Sequence, residues 1–186
     1  MEFIPKLEIG WLNGWILLAL EFSIQGLLLL IFPKDVVSRL FDRSGWNEKQ
    51  RSFTIIGKVF SLACLVLIFL TPLKIDSSLF IVGLILYVIG LAGLVVAMLN
   101  FKNTPHNQLV TKEVYKLSRH PQIVSLFFIF LGICVAIGSW LAVFALLLSK
   151  LFQHFGILAE EEICLKLYGE PYRTYMKQIP RYFLFF

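Results

Sequence analysis

"QIVSLFFIFLGICVAIGSWLAVFALLLSKLFQHFGIL", Gln122–Leu158, holds two apolar runs, Gln122–Ile137 and Trp140–Leu158, parted only by Gly138-Ser139. Crossing a hydrocarbon core of about 30 Å takes roughly 20 helical residues. Inside that core the backbone must satisfy its own hydrogen bonds, which a helix does. The pair reads as two membrane helices joined by a turn. Three further runs precede it: Trp11–Phe32, Ile55–Leu73 and Ser78–Leu99. They explain why this 186-residue chain is 58% hydrophobic and only 16% charged, with a mean hydropathy of +0.79. A soluble domain carries about a quarter charged residues. The sequence predicts an all-α, polytopic membrane protein: five transmembrane helices and a C-terminal helical tail, forming a single domain over 1–186.

The cations give the orientation. Lys34, Arg39, Arg43, Lys49 and Arg51 follow the first run, and Lys102, Lys112, Lys116 and Arg119 follow the third. Lys166, Arg173, Lys177 and Arg181 lie in the tail, whereas the connection after the second run has only Lys74. Positive residues favour the cytoplasmic side, so the expected topology is multi-pass, amino end outside and carboxyl end cytoplasmic, in a prokaryotic plasma membrane. The first run has no small-residue cleavage signature and reads as an anchor. The net charge of +5 sits in juxtamembrane connections, which fits anionic headgroups and not nucleic acid. Cys64, Cys134 and Cys164 show no metal-ligand spacing, so no metal site is expected. Gly90, Gly93 and Ala97 on the third run, with Gly132 and Ala136 on the fourth, suit close helix contact.

Polar residues inside the apolar runs are the next signal, because ionisable groups in a membrane mark function by default. On the fifth run Lys150, His154 and Glu161 fall within about 40° of one another at 100° per residue, flanked by Gln153 and Glu160. Glu21, near the middle of the first run, matches Lys150 in depth, and the two are expected to pair inside the bundle. Glu21, Lys150 and His154, with Tyr175 of the tail, are the candidate substrate-binding residues.

At the doorstep of the fourth run stands Arg119-His120-Pro121. Proline suits the first helical position, so the free N–H groups of the next residues face the mouth with the positive end of the helix dipole. That is an anion site, and Arg119 and His120 add charge to it. Glu160 and Glu161 offer an acidic wall. A pocket with both signs fits a zwitterion such as S-adenosylmethionine, which carries a carboxylate, an amine and a sulfonium. After the fifth run, Tyr168-Gly169 reads as a helix stop, and Pro171 restarts a helix with Tyr172 and Tyr175 on one face.

"YKLSRHP" (Tyr115–Pro121), an apolar hairpin, then "EE", "YG", "YRTY" and "PR" in order resemble the isoprenylcysteine carboxyl methyltransferases and the phospholipid N-methyltransferases, over about Leu109 to Tyr182. The resemblance implies an integral membrane methyltransferase that uses S-adenosylmethionine and takes a membrane lipid or lipidated acceptor. It implies cofactor contacts at Tyr115, Leu117, Ser118, Arg119, His120, Glu160, Glu161 and Tyr172, with His120 and Glu161 catalytic. For an amine acceptor the base is His120, His154 or Glu161; a carboxylate acceptor needs none. Three positions depart from the pattern. Glu113 stands where relatives commonly have Gly, and Ile123 where they often have Tyr. Gly156 lies where an Arg is frequent. Two alternatives stand beside this reading: an NADPH-dependent membrane reductase of sterol-reductase type, and a non-catalytic membrane protein that keeps the motifs.

Overall fold

A computed structural model describes residues 1–105 and 108–183. Seven α-helices account for most of them: α1 (Trp15–Ile31), α2 (Lys34–Leu40), α3 (Glu48–Leu70), α4 (Ser78–Lys102), α5 (Pro121–Ala136), α6 (Trp140–Tyr168) and α7 (Glu170–Gln178), with a 3-10 turn at Glu113–Lys116. Among the described residues there is no strand. The all-α expectation matches this architecture.

The helices start and stop for local reasons. Asn47 and Gln50 form a reciprocal capping box that opens α3, the arrangement that satisfies two orphan N–H groups at once. Ser77 caps α4, and the Ser139 hydroxyl accepts from Ala142 N to cap α6. Pro33 ends α1, and Gly138, at φ +68, turns α5 into α6.

Among the described residues only α3, α4 and α6, of 23, 25 and 29 residues, are long and apolar enough to cross a membrane. The five expected spans thus reduce to three of full length. α1 and α5, of 17 and 16 residues, are apolar but reach only about 24–26 Å at 1.5 Å per residue. The first sequence run was longer because apolar residues continue past the helix start into the Trp11–Gly14 segment, whereas the fourth run was already as short as α5.

All five apolar helices nevertheless alternate between the two ends of the bundle. At one end the amino-terminal segment is stitched to both nearby connections. Glu2 N donates to Gly138 O, Trp140 N to Glu2 O, Leu73 N to Leu12 O and Lys74 N to Ala136 O. Lys74 Nζ also pairs with Glu2 at 2.7 Å. The opposite end carries α2, the connection after α4, and the tail.

Packing is densest between α4 and α5 and between α3 and α6. Glycine makes the first approach possible. A Cβ on Gly83 would lie 2.5 Å from Gly132 O, and one on Gly90 would lie 2.7 Å from Ser125 O. Between α3 and α6, the Ser61 and Ser149 hydroxyls are 2.6 Å apart, and Gln153 Nε2 donates to both. Lys150 Nζ completes this patch by donating to Gln153 Oε1 at 3.2 Å.

The expected Glu21–Lys150 pair does not form. Lys150 faces α3 through the Gln153 network. Glu21 is 1% exposed, on a helix packed against α3 and α4, and neither carboxylate oxygen has a partner among the described residues. Equal depth fixed the two residues at one level, not at one angle around the bundle.

Candidate functional site

The site is assembled where three segments meet: the stretch from Glu113 to Pro121, the second half of α6, and the tail from Glu170 to Phe183. Lys112 leads in extended, and Glu113 then takes φ +49, a left-handed conformation that favours glycine. This is the position where the sequence pattern has Gly. The 3-10 turn that follows buries Tyr115. Its carbonyl accepts from the Tyr175 hydroxyl at 2.6 Å, and its own hydroxyl accepts from Gln122 Nε2 at 3.3 Å.

Ser118 and Arg119 tie this turn to the tail. Ser118 Oγ donates to Arg181 O at 2.7 Å and accepts from His120 N at 3.1 Å. Arg119 N donates to Pro180 O, and Arg119 Nη1 donates to Met176 O at 2.8 Å. His120 then caps α5 in a non-helical conformation with Pro121 in the first turn.

Glu161 sits at the centre, 4% exposed. Arg181 reaches it with both edges of its guanidinium, Nε to Oε1 at 3.0 Å and Nη2 to Oε2 at 2.7 Å. Arg119 Nε lies 3.0 Å from Oε1 but off the hydrogen-bond direction, so that contact is ionic and the Nε–H stays unpartnered. His120 Nε2 is 3.3 Å from the same oxygen. One carboxylate thus faces two guanidiniums and an imidazole, which leaves a surplus of positive charge in a largely dry place. Hydrogen bonding to Glu161 also raises the Arg181 pKa.

Glu160 is more open, its side chain 43% exposed and its Oε2 3.9 Å from His120 Nδ1. Tyr172 and Tyr175 are both buried on α7, their ring centroids 6.1 Å apart. Burial pushes the phenols of Tyr115, Tyr172 and Tyr175 up, and that of Tyr182 up to about 12. All four are therefore neutral near pH 7.

The structure brings together most of the expected cofactor-side set: Tyr115, Ser118, Arg119, His120, Glu160, Glu161 and Tyr172. Leu117 departs from it in being 55% exposed. On the expected acceptor side the polar stripe of α6 divides. His154 Nδ1 meets the Tyr182 hydroxyl at 2.7 Å and joins the tail, whereas Lys150 turns to α3 and Glu21 stands apart. Tyr175 belongs to the tail's anchor on Tyr115. Sequence reasoning counted Arg181 as a tail cation and as part of the "PR" motif without giving it a role at the site, and passed over Tyr182. Their signal was the Pro180-Arg181-Tyr182 run just after the aromatic helix.

The model for the family described as phospholipid methyltransferase matches residues 66–171, from the end of α3 into α7. The protein-S-isoprenylcysteine O-methyltransferase of Schizosaccharomyces pombe is similar to the chain, 32% identical over 81 residues. The match covers 42% of this chain and 34% of the fission-yeast protein, so the chain spans about a third of that relative's length. No solved structure matches it.

Proposed function

The chain belongs to the phospholipid methyltransferase family, and from that premise we propose that it is an integral membrane methyltransferase. In this reading it uses S-adenosylmethionine to methylate a carboxylate or amine carried by a lipid or a lipidated molecule. One observation carries the proposal. The N-terminus of α5, Arg119, His120 and Arg181 converge on a single buried carboxylate, Glu161. That set fits the cofactor's carboxylate, because it has more positive charge than Glu161 balances and an unpartnered buried N–H on Arg119. Glu160, half open beside His120, suits the amine.

When bound, the cofactor supplies a methyl group already activated by its sulfonium. The chain's residues have to hold, align and dry the reacting partners. Tyr172 and Tyr175 close the tail over the turn at Tyr115. The backbone from Tyr115 to Arg119 forms the floor, and Leu117 contributes only its main chain.

Glu161 is a positioning residue in this scheme, since its two oxygens are committed to holding Arg181, Arg119 and His120. His120 lies between two carboxylates, Glu160 and Glu161, and serves to hold them in place. An amine acceptor would lose its proton to Nε2 of His154 in the tautomer whose Nδ1–H donates to the Tyr182 hydroxyl; Nε2 has no hydrogen bond among the described residues. Lys150 and Glu21 lie on the acceptor's side, acting separately. The five apolar helices all pass through the bilayer, α1 and α5 by local thinning around their shorter lengths, with the tail on the cytoplasmic side.

Titration of the detergent-solubilised protein with labelled S-adenosylmethionine tests the proposal. We expect saturable binding and a raised Tm with S-adenosylhomocysteine, and no such rise with NADPH. A protein that NADPH protects and S-adenosylhomocysteine does not would belong to the reductase reading.

A further inference from the structure

We propose that the face of α3 nearest its amino end, with the loop before it, binds the phosphate of an anionic membrane lipid. Arg51, Thr54, Ile55 and Lys58 recur at the spacing of one helical face. With Arg43, Ser44 and Trp46 from the preceding loop they line a groove of about 370 Å³. Three cations and two hydroxyl residues line it, and no carboxylate does. The nearest acid in sequence, Asp42, is committed to Ser44 N at 2.9 Å.

The groove is built. Arg51 Nε donates to Trp46 O at 3.1 Å, which leaves its Nη groups for a ligand. The Arg43 guanidinium stacks 5.2 Å from the Trp46 ring centroid. Trp46 is itself 7% exposed, wedged beside Gly156 of α6 where a Cβ would come within 2.8 Å of the indole. The loop is thus pinned to the bundle, and its cations are held near the helix.

What lies below the cations selects a lipid over a free anion. Ile55, Val59, Leu62, Val66 and Phe69 continue the face down α3, each between 48% and 62% exposed. This is an apolar track directly under the charges. Lys58 lies about 10 Å along the axis from Arg51 at 1.5 Å per residue, a depth from which a lysine amine extends toward the headgroup layer. A phosphodiester with acyl chains fits both halves, whereas inorganic phosphate uses only the upper one. None of Tyr115, Arg119, His120, Glu160, Glu161 or Arg181 lines the groove; Arg43 is near enough to interact with Glu160, so the variants that test the groove are placed at Arg51 and Lys58.

The test uses the full chain in mixed micelles, titrated with phosphatidylglycerol or phosphatidylcholine and read by native mass spectrometry and Tm. Phosphatidylglycerol is expected to bind saturably and raise Tm, and phosphatidylcholine to bind about tenfold or more weakly. Arg51→Gln with Lys58→Gln is expected to weaken phosphatidylglycerol by about 25-fold, each charge contributing about fivefold, while protection by S-adenosylhomocysteine is retained. Lys58→Gln alone, at an exposed position, provides the fivefold step should the double variant fail to fold. Equal binding of the two lipids, or unchanged affinity in Lys58→Gln, overturns the proposal. Saturation by inorganic phosphate at the same affinity as the lipid makes the groove a soluble-anion site and overturns the lipid assignment.

Discussion

Arg181 and Glu161 meet fork to fork, 20 residues apart in sequence, and their pairing fastens the end of the described tail to the second half of α6. Breaking it leaves Glu161 still facing Arg119 and His120, so the cost is that of a charged hydrogen-bonded contact, about 1–3 kcal/mol. Arg181→Ala is expected to lower stability by that amount in denaturant titrations and to expose the tail after Gly169 to protease. Arg181→Lys recovers only part of it, since an ammonium cannot reproduce the two-edged geometry. A tail as resistant as wild type in Arg181→Ala would show that the pair does not hold it.

His120→Ala and Glu161→Ala are each expected to weaken S-adenosylmethionine binding by about 1–3 kcal/mol, the second indirectly through misplaced Arg119 and Arg181. Glu162→Ala is expected to be milder, because that side chain reaches only Gln50, at 3.3 Å. Isothermal calorimetry separates the three. Wild-type affinity in both His120→Ala and Glu161→Ala would remove the site from α5's amino end.

Glu113 holds a left-handed conformation that costs an L-residue about 1 kcal/mol or more. Glu113→Gly is therefore expected to be neutral or slightly stabilising, and Glu113→Val to lose about 1–2 kcal/mol. Matched thermal unfolding of the two variants reads the difference. A Val variant as stable as the Gly variant would contradict the backbone geometry at this turn.

Because Glu21 and Lys150 do not touch, Glu21→Gln and Lys150→Met are expected to be additive within about 0.5 kcal/mol. A double-mutant cycle in Tm or denaturant midpoint measures this. Coupling of about 3 kcal/mol would restore the buried pair that depth alone predicted.

Gly83→Ala or Gly132→Ala would drive a methyl into backbone atoms 2.5 Å away, and each is expected to cost about 1–3 kcal/mol as overpacking. Gly93→Ala meets only the Ser125 hydroxyl at 2.7 Å, a group that can rotate, and is expected to cost less. Equal losses at all three positions would contradict this ordering.

The features legible in the sequence were those set by local chemistry. Apolar runs marked the helices, Pro121 marked the start of α5, and Gly169, at φ +60, ended α6 as Tyr168-Gly169 implied. Glu113 was visible as a departure from pattern before its backbone explained why. What sequence could not give was angle and reach. Lys150, His154 and Glu161 share a stripe on paper, yet their partners lie on α3, at Tyr182 and at Arg119 with Arg181. The role of Arg181 depends on a long-range approach after a chain reversal at Gly169, and positive charge near a membrane already had an ordinary explanation. The length of the first span was overread for a related reason: hydropathy counts apolar residues whether or not they are helical.

The Gly83–Gly132 contact also bears on traffic in the bilayer plane. Where two backbones touch with no side chain between them, an acyl chain has no crevice to part and nothing soft to push aside. The seam between α4 and α5 is shut to lipid from Gly83 to Gly90, so a hydrophobic molecule moving sideways into the bundle has to come through a different wall.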